Sequence, residues 1–561
     1  MAALTRLDVN GFRSIGDEIS IRFPAGKPIV IVGENNAGKS NIIRALDHVL
    51  GDRWPGSWAP EDHDYHLRNT DSSIRITCGV TEVSHRGSPV DCFELTSEGG
   101  TTEINVELTT GNRQWPNNET RGKLPCVVIS ADRRLSYQLS YASQWTMLSK
   151  LMHRFHKVLV ADPDRRERLK EHFDGLHELF GAVPEYAAFA KRLKSEVEQL
   201  GANMPYGLEV DFSAYDPSNF FRSLRVHPQL DGEIRTFDEL GTGQEQILAL
   251  GFAYAYAAAF SGSGDGLILV IEEPEAHLHP LAQEWLASQL HRFTGDGVQV
   301  VITTHSPSFI DIRNLDALVL VSKSGGVTET AQRTAQQLAD YCVSTGADKA
   351  TADSILEHYD INATPELRAG FFARAIVLVE GRTESFALPS LLRTLGVDMN
   401  RLGIACIPVG GKGNLAKWWR LFTAFGIPTL VVFDNDVSDD GKATKRCDVL
   451  SAVGIDEAEQ SDFLDADSLV LGEAVAVMGT DFEHTLRGLI PTYETLEMEC
   501  RDQHGALSKP FIARWCAERL KENECEPLRS LADKIARLVE AEPPAAAPQQ
   551  IVRSRTRPGP R

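Results

Sequence analysis

The feature that most constrains the fold of this chain is a glycine-rich octapeptide, GENNAGKS, at positions 33–40. It matches the pattern G-x-x-x-x-G-K-[ST], in which backbone N–H groups and a helix N-terminus surround phosphate groups. The apolar run IVIV at 29–32 precedes it, and helical spacing of apolar residues follows it. The pattern therefore predicts an α/β nucleotide-binding domain. We expect ATP to contact the loop residues Gly33, Asn35, Asn36, Gly38, Lys39 and Ser40, the last also holding Mg²⁺.

Two later strand-like runs supply the polar groups that ATP hydrolysis requires. The run LILVI at 267–271 ends in Glu272 and Glu273. One carboxylate at such a strand end organises the Mg²⁺ shell and the next orients the attacking water, and we assign Glu272 and Glu273 to these roles in that order. A second run, VQVVITT at 298–304, leads to His305, which is placed to sense the γ-phosphate.

Between these elements, LGTGQEQ at 240–246 opens a predicted helix. The phosphate loop, this loop, the paired glutamates and the histidine together resemble the ABC-type ATPase family. In that family the signature loop closes on ATP held by the opposing subunit. The resemblance therefore implies a homodimer, or a higher homo-oligomer, in which Gly241, Gly243 and Gln244 act in trans.

A second set of acidic residues follows two further buried-strand runs. Glu380 ends the run at 375–379 and Glu384 lies four residues later, while Asp434 and Asp436 follow the run at 429–433. Carboxylate oxygens suit Mg²⁺ or Mn²⁺, and the lack of nearby histidine or cysteine argues against zinc. Solvated acids at strand ends are the alternative interpretation, but the order and spacing of the runs favour a metal site.

The E-G and D-x-D elements resemble the Toprim fold, and an ABC-type head followed by Toprim resembles the OLD (overcoming lysogenization defect) family. That family includes the nuclease subunit of the Gabija antiphage system. The resemblance implies a DNA endonuclease or nickase regulated by ATP, a role in phage defence or DNA processing, and a helicase as a further partner. It also implies that Asp481 and Glu483 complete the metal sites and that Lys509 steadies charge on the scissile phosphate.

The fold class predicted is therefore α/β, an ABC-type ATPase head with a helical dimerisation insertion followed by a Toprim domain. We expect the following boundaries: the first part of the head at 1–140, the insertion at 141–204, the rest of the head at 205–328, a connector at 329–370, Toprim at 371–540 and a disordered tail at 541–561.

Composition narrows the functional classes. The net charge of −21 argues against a general nucleic-acid coat, so DNA contact must use a local basic patch. The lack of a long apolar run or an apolar leader predicts a cytoplasmic protein with no membrane contact. The rival hypotheses are a RecF-like DNA-repair ATPase and an ATP-controlled interaction switch, each with a non-catalytic Toprim domain.

Overall fold

The computed structural model describes residues 1–129 except Asp52, then 161–168, 266–294, 298–347, 349–436, 443–505 and 507–540, together with scattered positions between 155 and 255. The strands are β1 Ala3–Asn10, β2 Ile19–Arg22, β3 Ile29–Gly33, β4 Ile74–Thr81, β5 Ser84–His85, β6 Ser88–Glu98, β7 Thr101–Leu108, β8 Arg113–Gln114, β9 Cys126–Ile129, β10 Gln229–Leu230, β11 Glu233–Ile234, β12 Leu267–Glu272, β13 Val298–Thr303, β14 Leu318–Ser324, β15 Val327–Ala331, β16 Ala375–Val379, β17 Ile404–Pro408, β18 Thr429–Phe433, β19 Leu469–Leu471 and β20 Val475–Met478.

The α-helices of the described ranges are α1 Lys39–Leu50, α2 Asn118–Gly122, α3 Pro280–Phe293, α4 Ala335–Ser344, α5 Ala352–Asn362, α6 Pro365–Ala369, α7 Arg382–Thr394, α8 Met399–Leu402, α9 Lys412–Ala424, α10 Thr444–Ala452, α11 Gln460–Leu464, α12 Phe482–Leu489, α13 Tyr493–His504, α14 Lys509–Ala517, α15 Glu522–Cys525 and α16 Arg529–Arg537. Within the described part of the chain, no helix is long and apolar enough to cross a membrane.

The chain divides into two compact units. One unit contains residues 1–128, 266–275 and 280–561, and the other contains 129–265 and 276–279. In the second unit the described positions include the β10–β11 hairpin and a short helical run at 163–168. Most of the predicted helical insertion and the whole predicted tail lie outside the described residues. The predicted domain boundaries remain predictions.

Two sheets form the head. The first is antiparallel, with the order β2-β1-β4-β6-β7-β8 and with β5 paired to β6. The second has the order β15-β14-β3-β13-β12-β9, in which β14, β3, β13 and β12 are parallel neighbours. Helix α1 packs against strands of both sheets and contributes Ile42, Ile43 and Leu46 to one continuous apolar core. That core fixes the start of α1, and with it the phosphate loop, at the carboxyl end of β3.

The Toprim sheet has the order β17-β16-β18-β20-β19, with only the edge strand β19 antiparallel. Strands β16, β18 and β20 are buried along their whole length, as expected for parallel strands covered by helices on both faces. Because the strands are parallel, the residues that follow β16, β18 and β20 all reach the same edge of the sheet.

Helices α4 and α5, in the predicted connector, pack against the Toprim helix α9. The Tyr359 hydroxyl donates to the Lys417 carbonyl at 2.5 Å, and the Tyr341 hydroxyl donates to Thr423 at 3.1 Å. The guanidinium of Arg333, which is buried, donates to the Ala424 carbonyl at 2.7 Å. These hydrogen bonds join the connector to α9, the helix whose first residue lies in the acidic site described below.

Candidate nucleotide and metal sites

The phosphate loop lies between β3 and α1 and depends on two glycines. Gly33 has φ 148° and Gly38 has φ 118°, both in the region that favours glycine. A Cβ added to Gly33 would lie 2.0 Å from the Val321 carbonyl oxygen, so this position has no room for a side chain. Asn35, Asn36 and Ser40 are exposed at the loop, where a nucleotide can reach them.

Lys39 is the first residue of α1 and is buried. Its Nζ donates to the carbonyls of Gly33 at 2.9 Å and Glu34 at 2.8 Å, so the ammonium lies across the loop. The pKa of Lys39 is lowered overall, because burial outweighs the opposing effect of the Glu273 and Glu275 charges. The lysine is thus held at the loop in reach of phosphates that bind there.

The paired glutamates and the histidine lie next to the loop because β3, β12 and β13 are parallel. Glu272 aligns with Thr303 across the β12–β13 pair, and the Glu273 N–H donates to the Thr303 carbonyl at 2.8 Å. His305 Nε2 lies 3.9 Å from Glu273 Oε1, and the His305 N–H donates to Glu275 at 2.5 Å. Burial and Lys39 lower the pKa of His305, which keeps the imidazole neutral near pH 7.

The signature loop is only partly described. Gln244 is an exposed helical position, whereas Gly241 and Gly243 lie outside the described residues. Their predicted action on a nucleotide held by a second subunit remains a prediction.

The Toprim acids meet at one edge of the sheet, as their strand-end positions predict. Glu380 follows β16, and the Gly381 N–H donates to Glu384 Oε2 at 3.1 Å across the first turn of α7. Asp434 follows β18, and its Oδ1 accepts from the Asp436 N–H at 3.3 Å. Burial and the neighbouring Asp434 raise the pKa of Glu380 to about 7. Burial also raises the pKa of Glu384.

Lys412 lies among these acids, and the sequence analysis did not assign it to the site. It follows the turn at Gly410 and Gly411 and is 2% exposed. Its Nζ lies 2.9 Å from Asp434 Oδ1 and 3.4 Å from Glu380 Oε2. Burial lowers the pKa of Lys412, but its interactions with Asp434 and Glu380 together outweigh burial and raise the pKa above its usual value. The sequence signal for this residue is the glycine turn that precedes it. The turn follows β17, which pairs in parallel with β16, so it lies at the edge of the sheet where Glu380 follows β16.

Three further residues predicted for this site lie at or beyond the edge of the acidic cluster around Glu380 and Asp434: Asp481, Glu483 and Lys509. Asp481 caps α12, its Oδ1 accepting from the His484 N–H at 2.6 Å. Glu483 is partly buried, and burial raises its pKa while Lys509 lowers it. Lys509 begins α14, and its Nζ lies 4.0 Å from Glu483 Oε1 with the side chain 78% exposed. Lys509 is thus free to reach a large ligand.

The donor chemistry fits a divalent cation. Glu380, Glu384, Asp434 and Asp436 offer hard oxygen ligands, and Lys412 is the cation placed between two of them. Glu380 Oε2 is buried and accepts no protein hydrogen bond within ideal geometry. As positioned, no three histidine, cysteine, aspartate or glutamate side chains of the described residues surround a single point.

Comparisons with known proteins agree with this arrangement. A family model described as "Overcoming lysogenization defect protein-like, TOPRIM domain" matches residues 371–436, and models of the AAA ATPase domain and the AAA domain match 125–310 and 6–199. The OLD nuclease of Thermus scotoductus is 28% identical over 459 residues, which cover 77% of this chain and 82% of that protein. The Old nuclease of Escherichia phage P2 is 24% identical, with 80% of each chain covered.

Among solved structures, the Smc head domain of Pyrococcus furiosus bound to part of ScpA aligns with 59% of this chain and 96% of that chain, at a TM-score of 0.37 and 15% identity. The assignment of the head rests instead on its sheet order, its phosphate loop and the family models. The chain combines an AAA-type ATPase domain with an OLD-like Toprim domain, and the predicted resemblance to the OLD family is confirmed.

Proposed function

We propose that this protein is a metal-dependent DNA endonuclease or nickase whose activity is regulated by ATP. The observation that carries the proposal is the convergence of Glu380, Asp434 and Asp436 at one edge of the Toprim sheet, with Glu384 on the first turn of the adjoining helix. The two curated relatives that cover most of this chain are named nucleases, which supports the same conclusion.

The residues have distinct roles in this proposal. Glu380, Glu384, Asp434 and Asp436 would hold Mg²⁺ or Mn²⁺, and Asp481 and Glu483 would complete the metal sites. Bound metal ions supply an activated water and neutralise charge on the phosphodiester. Lys509, exposed near Glu483, contacts the scissile phosphate through charge-assisted hydrogen bonds. Because the chain carries a net charge of −21, local cations such as this one must attract DNA.

At the head, Lys39 and the backbone of the phosphate loop bind the ATP phosphates, with Mg²⁺ on Ser40 and Glu272. Glu273 orients the attacking water, and His305 contacts the γ-phosphate. ATP joins two heads into a homodimer through Gly241, Gly243 and Gln244 of the opposite subunit. A cytoplasmic location, a role in phage defence or DNA processing, and a helicase partner belong to this proposal as well.

Two contacts link the nucleotide site to the start of the Toprim domain. The Arg374 guanidinium lies 3.5 Å from Glu34 of the phosphate loop, and the His305 ring lies 6.5 Å, centre to centre, from that of Phe372. Arg374 and Phe372 immediately precede β16, the strand that ends at Glu380. A structural change at the phosphate loop or at His305 can therefore be transmitted to the start of β16, the strand that leads to Glu380. This supports regulation of cleavage by ATP.

A second candidate function is an ATP-controlled interaction switch with a non-catalytic Toprim domain, similar to a RecF-like ATPase. The observation that favours it is that the described acids do not already surround one point. Under this hypothesis Lys412 neutralises the acids for structural reasons alone.

Cleavage of supercoiled plasmid distinguishes the two candidates. Wild type, Asp434→Asn and Asp462→Asn are incubated with Mn²⁺ or Mg²⁺, with and without ATP; Asp462 is an exposed Toprim residue and serves as the matched control. The endonuclease proposal predicts nicking by the wild type and the control, and loss of at least two orders of magnitude with Asp434→Asn. Equal residual cleavage by wild type and Asp434→Asn would overturn it and favour the switch.

A further inference from the structure

Lys412 has an unusual position for a lysine. It is 2% exposed, and every acceptor near its ammonium belongs to the acidic site. Besides Asp434 Oδ1 at 2.9 Å and Glu380 Oε2 at 3.4 Å, its Nζ donates to the Asp436 backbone carbonyl at 3.0 Å. The contacts to Asp434 and to the Asp436 carbonyl have hydrogen-bond lengths, and the contact to Glu380 is an ion pair. The side chain is therefore held in place and cannot sample solvent.

The contacts of Lys412 divide the oxygens of its partners. Asp434 Oδ1 accepts from both Lys412 and the Asp436 N–H, so this oxygen is fully used by the protein. The lysine contacts one oxygen, Oε2, of Glu380. In both carboxylates the other oxygen is the one to which a divalent ion can bind without displacing Lys412.

Stability alone does not explain such a residue. Removing a lysine and two carboxylates from water costs more free energy than their attraction generally returns, and well-packed apolar groups often serve a core better. A fixed positive charge beside the ligands of a divalent ion also opposes binding of that ion, since like charges repel strongly where water is excluded. The charge of Lys412 therefore acts on the metal as well as on the acids.

On the basis of the proposed function, we propose that Lys412 is a positioning residue with two effects on the metal site. It orients Glu380 and Asp434 so that one oxygen of each faces the metal, and its charge keeps the affinity of the site for divalent ions low. A site of low intrinsic affinity exchanges its ions readily and gains affinity when the phosphate of a DNA substrate adds negative charge.

The test separates charge from hydrogen bonding in the full-length protein. Lys412→Gln keeps N–H donors and removes the charge, whereas Lys412→Arg keeps the charge and changes the geometry. Lys417→Gln is the matched control, because Lys417 lies on the same helix with its side chain exposed. Mn²⁺ affinity is measured by calorimetry or electron paramagnetic resonance without nucleotide or DNA, and plasmid cleavage is measured at saturating Mn²⁺.

We expect Lys412→Gln to bind Mn²⁺ roughly tenfold more tightly than wild type, because one opposing charge is gone, and to cleave DNA more slowly at saturating metal. Lys412→Arg should keep an affinity within about threefold of wild type while cleavage falls, since charge persists but orientation does not. Lys417→Gln should match wild type in both measurements.

Unchanged or weaker Mn²⁺ binding by Lys412→Gln overturns the inference. Tighter Mn²⁺ binding by Lys412→Arg than by wild type also overturns it, and this measurement stays decisive if Lys412→Gln fails to fold. Failure of the proposed function gives a different result. In that case the wild type binds Mn²⁺ no better than Asp434→Asn and does not cut plasmid. If Asp434→Asn abolishes binding but Lys412→Gln does not tighten it, only the role of Lys412 is wrong.

Discussion

Glu380→Gln should make the metal-free protein more stable and the enzyme inactive, two effects of opposite sign at one residue. The pKa of Glu380 is raised from 4.5 to about 7, first by burial and then by Asp434. An unfolded chain ionises this group near pH 4.5, whereas the folded chain retains the proton until about pH 7. The folded state therefore binds more protons in that window, and its stability falls as the pH rises from 4.5 through 7.

The magnitude follows from the size of the shift. At about 1.4 kcal/mol per pKa unit, the full shift corresponds to roughly 3 kcal/mol at pH 8. The side chain is 23% exposed and Lys412 lies nearby, so solvent and counter-charge reduce this to about 1–2 kcal/mol. Glutamine is neutral and avoids the cost. Thermal unfolding in EDTA at pH 8 should show the variant melting a few degrees above wild type, with the two equal at pH 4.5.

Two additions make the assay decisive. Glu499→Gln, an exposed change in α13, controls for the loss of a charge and should shift the melting temperature little. Adding Mn²⁺ at pH 8 should stabilise wild type and leave Glu380→Gln unchanged, since a ligand stabilises only the state that binds it. A Glu380→Gln protein less stable than wild type in EDTA at pH 8 would refute the reasoning on the electrostatics of the site.

Three further predictions concern the head and its contact with Arg374. Lys39→Met removes the buried ammonium at the phosphate loop and should weaken ATP binding roughly 100-fold by calorimetry without changing Mn²⁺ binding at the Toprim site; unchanged ATP affinity would contradict the nucleotide assignment. Burial lowers the pKa of His48 to about 4, so the wild type loses stability as the pH falls from 6.5 towards 4. In urea titrations over this pH range, His48→Gln should lose about 2 kcal/mol less stability than the wild type. Equal losses of stability in the two proteins would contradict this prediction. Arg374 and Glu34 are each 48% exposed, so Arg374→Ala should change stability by less than about 1 kcal/mol. The same variant should alter the effect of ATP on plasmid cleavage. An unaltered ATP effect would show that this contact does not take part in regulation.

Much of both sites follows from strand-end reasoning on the sequence. Parallel strands place their carboxyl ends together, so Glu273 and His305 lie close to Lys39 of the phosphate loop, and Glu380 lies close to Asp434, as expected. The predicted strand runs also match the observed ones closely, for example residues 29–32 within Ile29–Gly33. Buried apolar runs bounded by glycine or acidic residues are strong local signals, which explains this success.

The remainder depends on tertiary packing that no local pattern shows. A lysine after two glycines is typical of a surface turn. Only the packing of α9 against β18 brings Lys412 beside Asp434. Asp481 is predicted to be a metal ligand, and its side chain also caps α12, a second use of aspartate that spacing does not show. Contacts made between two subunits, such as those predicted for Gly241 and Gly243, depend on a partner chain.

The central claim is that the Toprim acids perform metal-dependent DNA cleavage. Its most direct test is the nicking rate of supercoiled plasmid as Mn²⁺ is titrated, with wild type beside Glu380→Ala and with ATP hydrolysis measured on the same samples to show that the head is folded. We predict saturable nicking by wild type that EDTA abolishes, and none by Glu380→Ala at any Mn²⁺ concentration while ATP hydrolysis persists. Nicking by Glu380→Ala at the wild-type rate, or no nicking by wild type in either metal with or without ATP, would contradict the account.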